Sequence, residues 1–207
     1  MSTSDAFRTT FSFLADTDAE RALLEQLALR VTAVRADAGR TEWVFDEGGR
    51  RGQGILRSGP PHEGPIASSV PPSYAALAAR IGRTTCGYGG GGSLGFPGLT
   101  EEGELQPSEG AEALEEGDPD ELVEQLADRG LSLGDLRDAF YCGQNWLLFD
   151  PLRVDAAGEP MLAFVSHEGC EWEALHGAEG LSYRGVLLRL LVWGLLGTTG
   201  LIEGVYS

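Results

Sequence analysis

The chain has 207 residues, with 15 Arg, no Lys and 32 Asp plus Glu, giving a formal net charge of −17. That sign argues against a nucleic-acid or anionic-membrane binder, because such proteins grip phosphates with basic faces. A hydrophobic share of 42% over this length is enough for one domain with a substantial core, folding without metal or disulfide.

Met1 to Arg8 shows neither a basic nor an apolar leader region, and the longest apolar run, Val186 to Leu196, is well short of the roughly 20 residues that span a bilayer. The expectation is a soluble cytoplasmic protein. Cys86, Cys142 and Cys170 are odd in number, widely spaced and without a CxxC pair, which suits reduced thiols better than a disulfide framework or a zinc knuckle.

In chain order, Thr17 and Glu20 have capping-box spacing, and Leu23, Leu24, Leu27, Val31 and Val34 follow at helical intervals, predicting an amphipathic helix over 18–37. Thr41 to Phe45 and Gln53 to Arg57 read as the two strands of a hairpin. Residues 58–72 hold five prolines and read as a stiff extended loop. Pro72 then opens a short helix whose apolar face is Tyr74, Leu77, Ala78 and Ile81.

Arg83 to Leu99 reads as a glycine loop. Gly87, Gly89 and Gly92 formally satisfy GxGxxG, yet no helix can follow through Ser93-Leu-Gly-Phe-Pro97, so the dinucleotide context is missing. A P-loop would need a Lys. The stretch 101–130 reads as an acidic insertion, with eleven carboxylates and no base between Glu101 and Glu124. Its first half is expected to be a solvated, poorly ordered loop. Asp118-Pro119-Asp120-Glu121 predicts a helix over 119–129, with Leu122, Val123 and Leu126 turned inward.

Ser132 with Asp135 predicts a further short helix carrying Leu133, Leu136 and Phe140. Trp146 to Phe149 and Met161 to Val165 read as neighbouring antiparallel strands joined through Asp155-Ala-Ala-Gly158, where Gly158 supplies a positive φ. Tyr183 to Leu196 is an apolar helix with Arg189 as its one charge after the first turn, predicting coverage around most of its circumference. The sum is a single α+β domain over 1–207, a mostly antiparallel sheet with helices packed on it.

Sites of chemistry are weakly signalled. His167 with Cys170 and a carboxylate suggests a metal site, but a zinc centre needs three or four convergent ligands. The same residues suggest a cysteine nucleophile with its base, a geometry that spacing alone does not establish. The bland alternative is a histidine bonded to backbone at a strand end. No catalytic, metal or cofactor residue is therefore expected. Of the four tryptophans, Trp146 and Trp193 sit in apolar runs and are expected in the core, whereas Trp172, between Glu171 and Glu173, is expected to be partly exposed.

Three segments together resemble the SUKH superfamily of bacterial immunity proteins and yeast cell-wall synthesis regulators. They are Val70-Pro-Pro-Ser-Tyr74 leading into Leu77, Ala78 and Ile81-Gly82; Trp146-Leu-Leu-Phe-Asp-Pro151; and Gly158 to Glu168 followed by the terminal apolar helix. The resemblance implies an α+β domain without shared catalytic residues that binds and neutralises a toxin, commonly a nuclease. The charge agrees independently, since a basic toxin that acts on a polyanion is well matched by carboxylates. The leading expectation is thus a non-enzymatic immunity or inhibitor protein with a basic protein partner. Its candidate contacts are Glu112, Glu115, Glu116, Asp120 and Glu124, with Glu171, Trp172 and Glu173 as a second patch. A regulatory interaction module of the same fold is the alternative, followed by a hydrolase using His167 with a cysteine or carboxylate.

Overall fold

The computed structural model describes residues 1–37, 39–46, 54–87, 94–108, 120–143, 145–166 and 171–205. Nine strands form one sheet: β1 (Val31–Asp37), β2 (Arg40–Phe45), β3 (Ile55–Ser58), β4 (Thr84–Gly87), β5 (Leu94–Phe96), β6 (Asp138–Cys142), β7 (Asn145–Val154), β8 (Pro160–Val165) and β9 (Trp172–Ala174). Spatial order follows chain order, and every neighbouring pair is antiparallel. The described helices are α1 (Thr3–Phe11), α2 (Asp18–Arg30), α3 (Pro72–Ala78), α4 (Asp120–Asp128) and α5 (Tyr183–Leu196). The expected α+β class is the observed one.

Capping chemistry fixes the N-terminal helices. Ser2 and Asp5 form a reciprocal capping box at α1, and Thr17 and Glu20 form another at α2. Sequence reading found the second and overlooked the first, although Phe7 and Phe11, one helical turn apart, are both fully buried. Helix α2 ends at Arg30, so the expected span of 18–37 is too long. Val31 is extended, with ψ at 119°, and leads into β1, because β-branched Val31, Thr32 and Val34 fit a pleated ladder against β2.

The sheet has two unequal faces. Successive side chains of a strand point to opposite sides. Leu147, Phe149 and Leu162 therefore join the large core, while Leu148, Ala163 and Val165 from the same two strands join a small one. The large core lies under α1, α2, α3 and α5. Helix α5 runs through it with Leu187 and Leu191 at 0% exposure and Leu190 at 1%, as its sequence predicts. Tyr74 of α3 is fully buried there, and its hydroxyl donates to the Ala139 carbonyl at 3.0 Å. The small core lies under α4, where Leu122 and Leu126 cover Leu148, Ala163, Val165 and Trp172.

Two buried charges tie the helices together. The Glu20 carboxylate accepts from the backbone N–H groups of Asp16 and Thr17, both at 3.0 Å, and from Arg189 of α5 at 3.2 Å. The side chains of Arg189 and Glu20 are only 15% and 6% exposed. Burial pushes the Glu20 carboxyl upward, but the bonds from Thr17, Arg189 and Asp16 outweigh it and hold it below its ordinary range. Gly185 permits this approach, since a Cβ there would strike the Glu20 carboxylate.

Four further expectations are corrected. Flanking strands β4 and β5 replace the plain glycine loop, and Gly95 sits at φ 147° in β5 with its Cα against the Thr84 carbonyl of β4. Residues 99–108 are not a free loop: Leu99 bridges to Leu105, Pro107 bridges to Arg137, and Ser108 donates to buried Asp138 at 2.8 Å. The helix expected from Ser132 is a single 3₁₀ turn, Leu133–Asp135, after which Leu136 is extended and Phe140 lies in β6. Between the expected strand at Met161 to Val165 and the terminal helix, where the sequence pattern predicts no element, lies β9. Gly158 does turn the β7–β8 connection at φ 81°.

Candidate functional site

Helix α4 is amphipathic with a narrow apolar stripe. Leu122 and Leu126, one turn apart, are fully buried, whereas Asp120, Glu121, Glu124 and Asp128 are exposed. Val123, expected inward, is 41% exposed, because only the Leu122–Leu126 ridge fits the shallow surface of β6–β9. Strand β9 alternates in the same sense, with Trp172 inward and Glu171 and Glu173 outward.

The two elements are joined by a direct bond: the backbone N–H of Trp172 donates to Gln125 Oε1 of α4 at 2.9 Å. Helix α4 and β9, 47 residues apart in the chain, are thereby held side by side. The exposed carboxylates of α4, Asp120, Glu121, Glu124 and Asp128, form an acidic corner at this edge of the sheet. Glu173, paired with Phe164 of the large-core face, is turned to the other side of β9 from Trp172 and α4, and Glu171 is exposed beside it. Arg129 closes the helix end, donating to the Gln125 carbonyl at 2.6 Å.

Trp172 is placed differently from the expectation. At 7% exposure it is a core residue of the small cluster, not the partly exposed side chain expected. Trp43, at 3% exposure, is also buried, while Trp146 and Trp193, expected in the core, are half-buried and pack against the small and large cores respectively. Glu121 and Asp128 were missed as members of the corner, although their helical spacing to Glu124 and Gln125 was the available signal.

The corner works against its own helix. Asp120–Glu124 and Glu124–Asp128 are like-charge pairs at i,i+4, each destabilising by about 0.2 to 0.5 kcal/mol. Asp128 adds a negative charge at the negative end of the helix dipole, while Asp120 and Glu121 benefit from the positive end. What such a surface does well is attract a cationic one.

Glu112, Glu115 and Glu116, and the pair His167 and Cys170, lie outside the described residues. Cys86 and Cys142 are buried and not in a disulfide. Burial pushes both thiols up to about 12, so at neutral pH they are protonated and poor nucleophiles. Among the described residues, no group of three or more His, Cys, Asp or Glu side chains is placed to hold a metal ion. No described helix is long and apolar enough to cross a membrane.

No protein-family model, curated protein or solved structure matches the chain.

Proposed function

We propose that this chain is a non-enzymatic cytoplasmic immunity or inhibitor protein that captures a basic protein partner, the role that the SUKH resemblance implies, with a nuclease toxin as the natural class of target. The observation that carries the reading is the exposed carboxylate face of α4, Asp120, Glu121, Glu124 and Asp128, tied by the Gln125–Trp172 bond to the segment of β9 that bears Glu171 and Glu173, on a chain of net charge −17. A basic enzyme that acts on a polyanion presents cations around its active site. A rigid array of carboxylates docks there, excludes the substrate, and draws the partner in from a distance.

The test has two stages. Tagged protein captures its partner from the producing cell, elution with high salt releases it, and mass spectrometry identifies it. Association of the purified partner is then followed by stopped flow against the native chain and a variant carrying Asp120→Asn, Glu124→Gln, Glu171→Gln and Glu173→Gln. The expected native rate is on the order of 10⁸ M⁻¹s⁻¹ at low salt, falling with ionic strength, and the variant should drop toward about 10⁵ to 10⁶ with a flatter salt slope. A captured partner that is not basic, or an unchanged rate and slope in the variant, overturns the reading.

A further inference from the structure

Beside the acidic corner, β9 runs on into Leu175, whose N–H donates to the Leu162 carbonyl at 3.0 Å, and then through a 3₁₀ turn toward α5. Between this segment and the β7–β8 turn lies a cleft of about 530 Å³. Met161, Leu162, Leu175 and Leu181 give it an apolar floor, and Asp155, Glu159 and Glu179 stand on its walls. None of the residues that line it is basic.

The three carboxylates are not equivalent. Glu159 is committed to the fold: its two oxygens accept from the Ser73 backbone N–H and from the Ser73 hydroxyl, which caps the start of α3 from the far side of the cleft. Asp155 and Glu179 are each held by one oxygen. Asp155 Oδ1 accepts from the N–H groups of Ala157 and Glu159, at 2.8 and 2.9 Å. Glu179 Oε1 accepts from Arg153 at 3.1 Å and lies 2.7 Å from His176 Nδ1. Among the described residues no donor engages Asp155 Oδ2 or Glu179 Oε2, so each carboxylate is oriented by one oxygen and keeps the other for a ligand. The field in the cleft is negative enough to be felt by a neighbour. Burial first, and then the charges of Glu159 and Asp155, push the Tyr183 hydroxyl well above its ordinary range.

An apolar floor with carboxylates on its walls matches a ligand that is aliphatic along its length and cationic at its tip. A bare metal ion has no use for the floor, and a hydrophobic side chain would strand the carboxylates. The planar guanidinium offers five donors to two carboxylate oxygens where an ammonium offers three. We infer that the cleft binds an arginine side chain of a peptide or protein, its methylene stem over Met161 and Leu181 and its guanidinium at the Asp155 and Glu179 carboxylates. The inference rests on the proposed basic partner for its biological source, but the site is tested without that partner.

Met1 and Met161 are the two methionines of the chain; Met1 is 95% exposed, and Met161 lines the cleft. Protein labelled with ¹³C at the methionine methyls therefore has one reporter inside the site and one far from it in exposure. It is titrated with N-acetyl-arginine amide, with the citrulline analogue of the same shape and no charge, and with the norleucine analogue. The Met161 signal should shift saturably with arginine and bind both neutral analogues at least about tenfold more weakly, the loss of one charge-assisted contact, while Met1 stays still. Asp155→Asn with Glu179→Gln should weaken arginine binding by a similar factor; Asn keeps the turn-forming Oδ1, and the Met161 chemical shift of the free protein checks that the cleft survives. A Met161 signal that does not move, that responds equally to citrulline or norleucine, or that is indifferent to a folded double variant overturns the inference. If the double variant fails to fold, the citrulline comparison on the native chain decides alone. Failure here leaves the salt-dependent association of the α4–β9 corner standing, and failure of the corner leaves a measured arginine site standing.

Discussion

The two faces of the sheet show how the same strands serve opposite ends. On one face, α5 is apolar around nearly its whole circumference and is wrapped by α1, α2, α3 and the strands, so ten of its residues are buried. On the other, α4 touches the sheet through Leu122, Leu126 and the Gln125 side chain and turns its carboxylates to water. The large face supplies stability. The small face supplies a rigid but lightly anchored platform whose outward surface is free to carry charge. Self-repulsion on α4 is tolerable because the fold does not depend on that helix for its main core.

The contrast is broken or sharpened first in the large core. Leu190→Ala should cost about 2 to 5 kcal/mol, because its side chain is 1% exposed and a closely packed site collapses only partly. Chemical denaturation should show one transition with a lower midpoint, and amide exchange should rise throughout. A loss below about 0.5 kcal/mol would make α5 peripheral and dissolve the distinction between the faces.

Gly95→Ala comes next, at about 3 kcal/mol. It combines a φ of 147°, which residues with a Cβ rarely adopt, with a collision between the new methyl and the Thr84 carbonyl. Thermal melting checks it, and a variant as stable as the native protein would mean that β4 and β5 are not paired as described.

Leu126→Ala removes a comparably buried side chain from the small core, yet its consequence should be local. Exchange should accelerate over 120–128 and 172–174 while α5 amides keep their protection, since few contacts couple α4 to the rest. Uniform acceleration would show that the two cores unfold as one unit.

Acid should act on the large face through Glu20. Its carboxyl is held below the ordinary 4.5 in the folded protein, so the stabilisation is present in full above that value and is lost as pH falls through the lowered folded value. Glu20→Gln should cost about 1 to 3 kcal/mol at neutral pH, leaving Arg189 without its anion, and should flatten the acid limb of stability against pH. An unchanged acid limb would assign acid sensitivity to other carboxylates.

The smallest stability effect belongs to the corner. Neutralising Asp120, Glu124, Glu171 and Glu173 together should leave the thermal midpoint unchanged or raise stability by less than about 1 kcal/mol, since exposed like charges are screened and mutually repulsive. A marked loss of stability would mean that these carboxylates hold structure, and the partner surface would then have to be sought elsewhere.

Local chemistry was legible wherever a residue answers to its near neighbours. Thr17 with Glu20 announces the start of α2, Pro72 that of α3, Gly158 the turn between β7 and β8, and the largely apolar run from Tyr183 the buried helix. The α+β class follows from such signals. What the tertiary structure alone decided is where pairing with distant chain overrides local preference. Val31 to Asp37 leaves the helical pattern because β2 offers it a ladder, and Phe140 becomes a strand residue because β5 and β7 flank it. The glycine-rich stretch acquires strands at both ends for the same reason. Trp172 reads as exposed between two glutamates, yet a period of two sends its neighbours outward and the indole inward, onto a helix 47 residues earlier. The acidic corner and the cleft beside it share that origin. Their residues are individually unremarkable in sequence, and they form sites because the meander returns β9 to β8 and α4 to both.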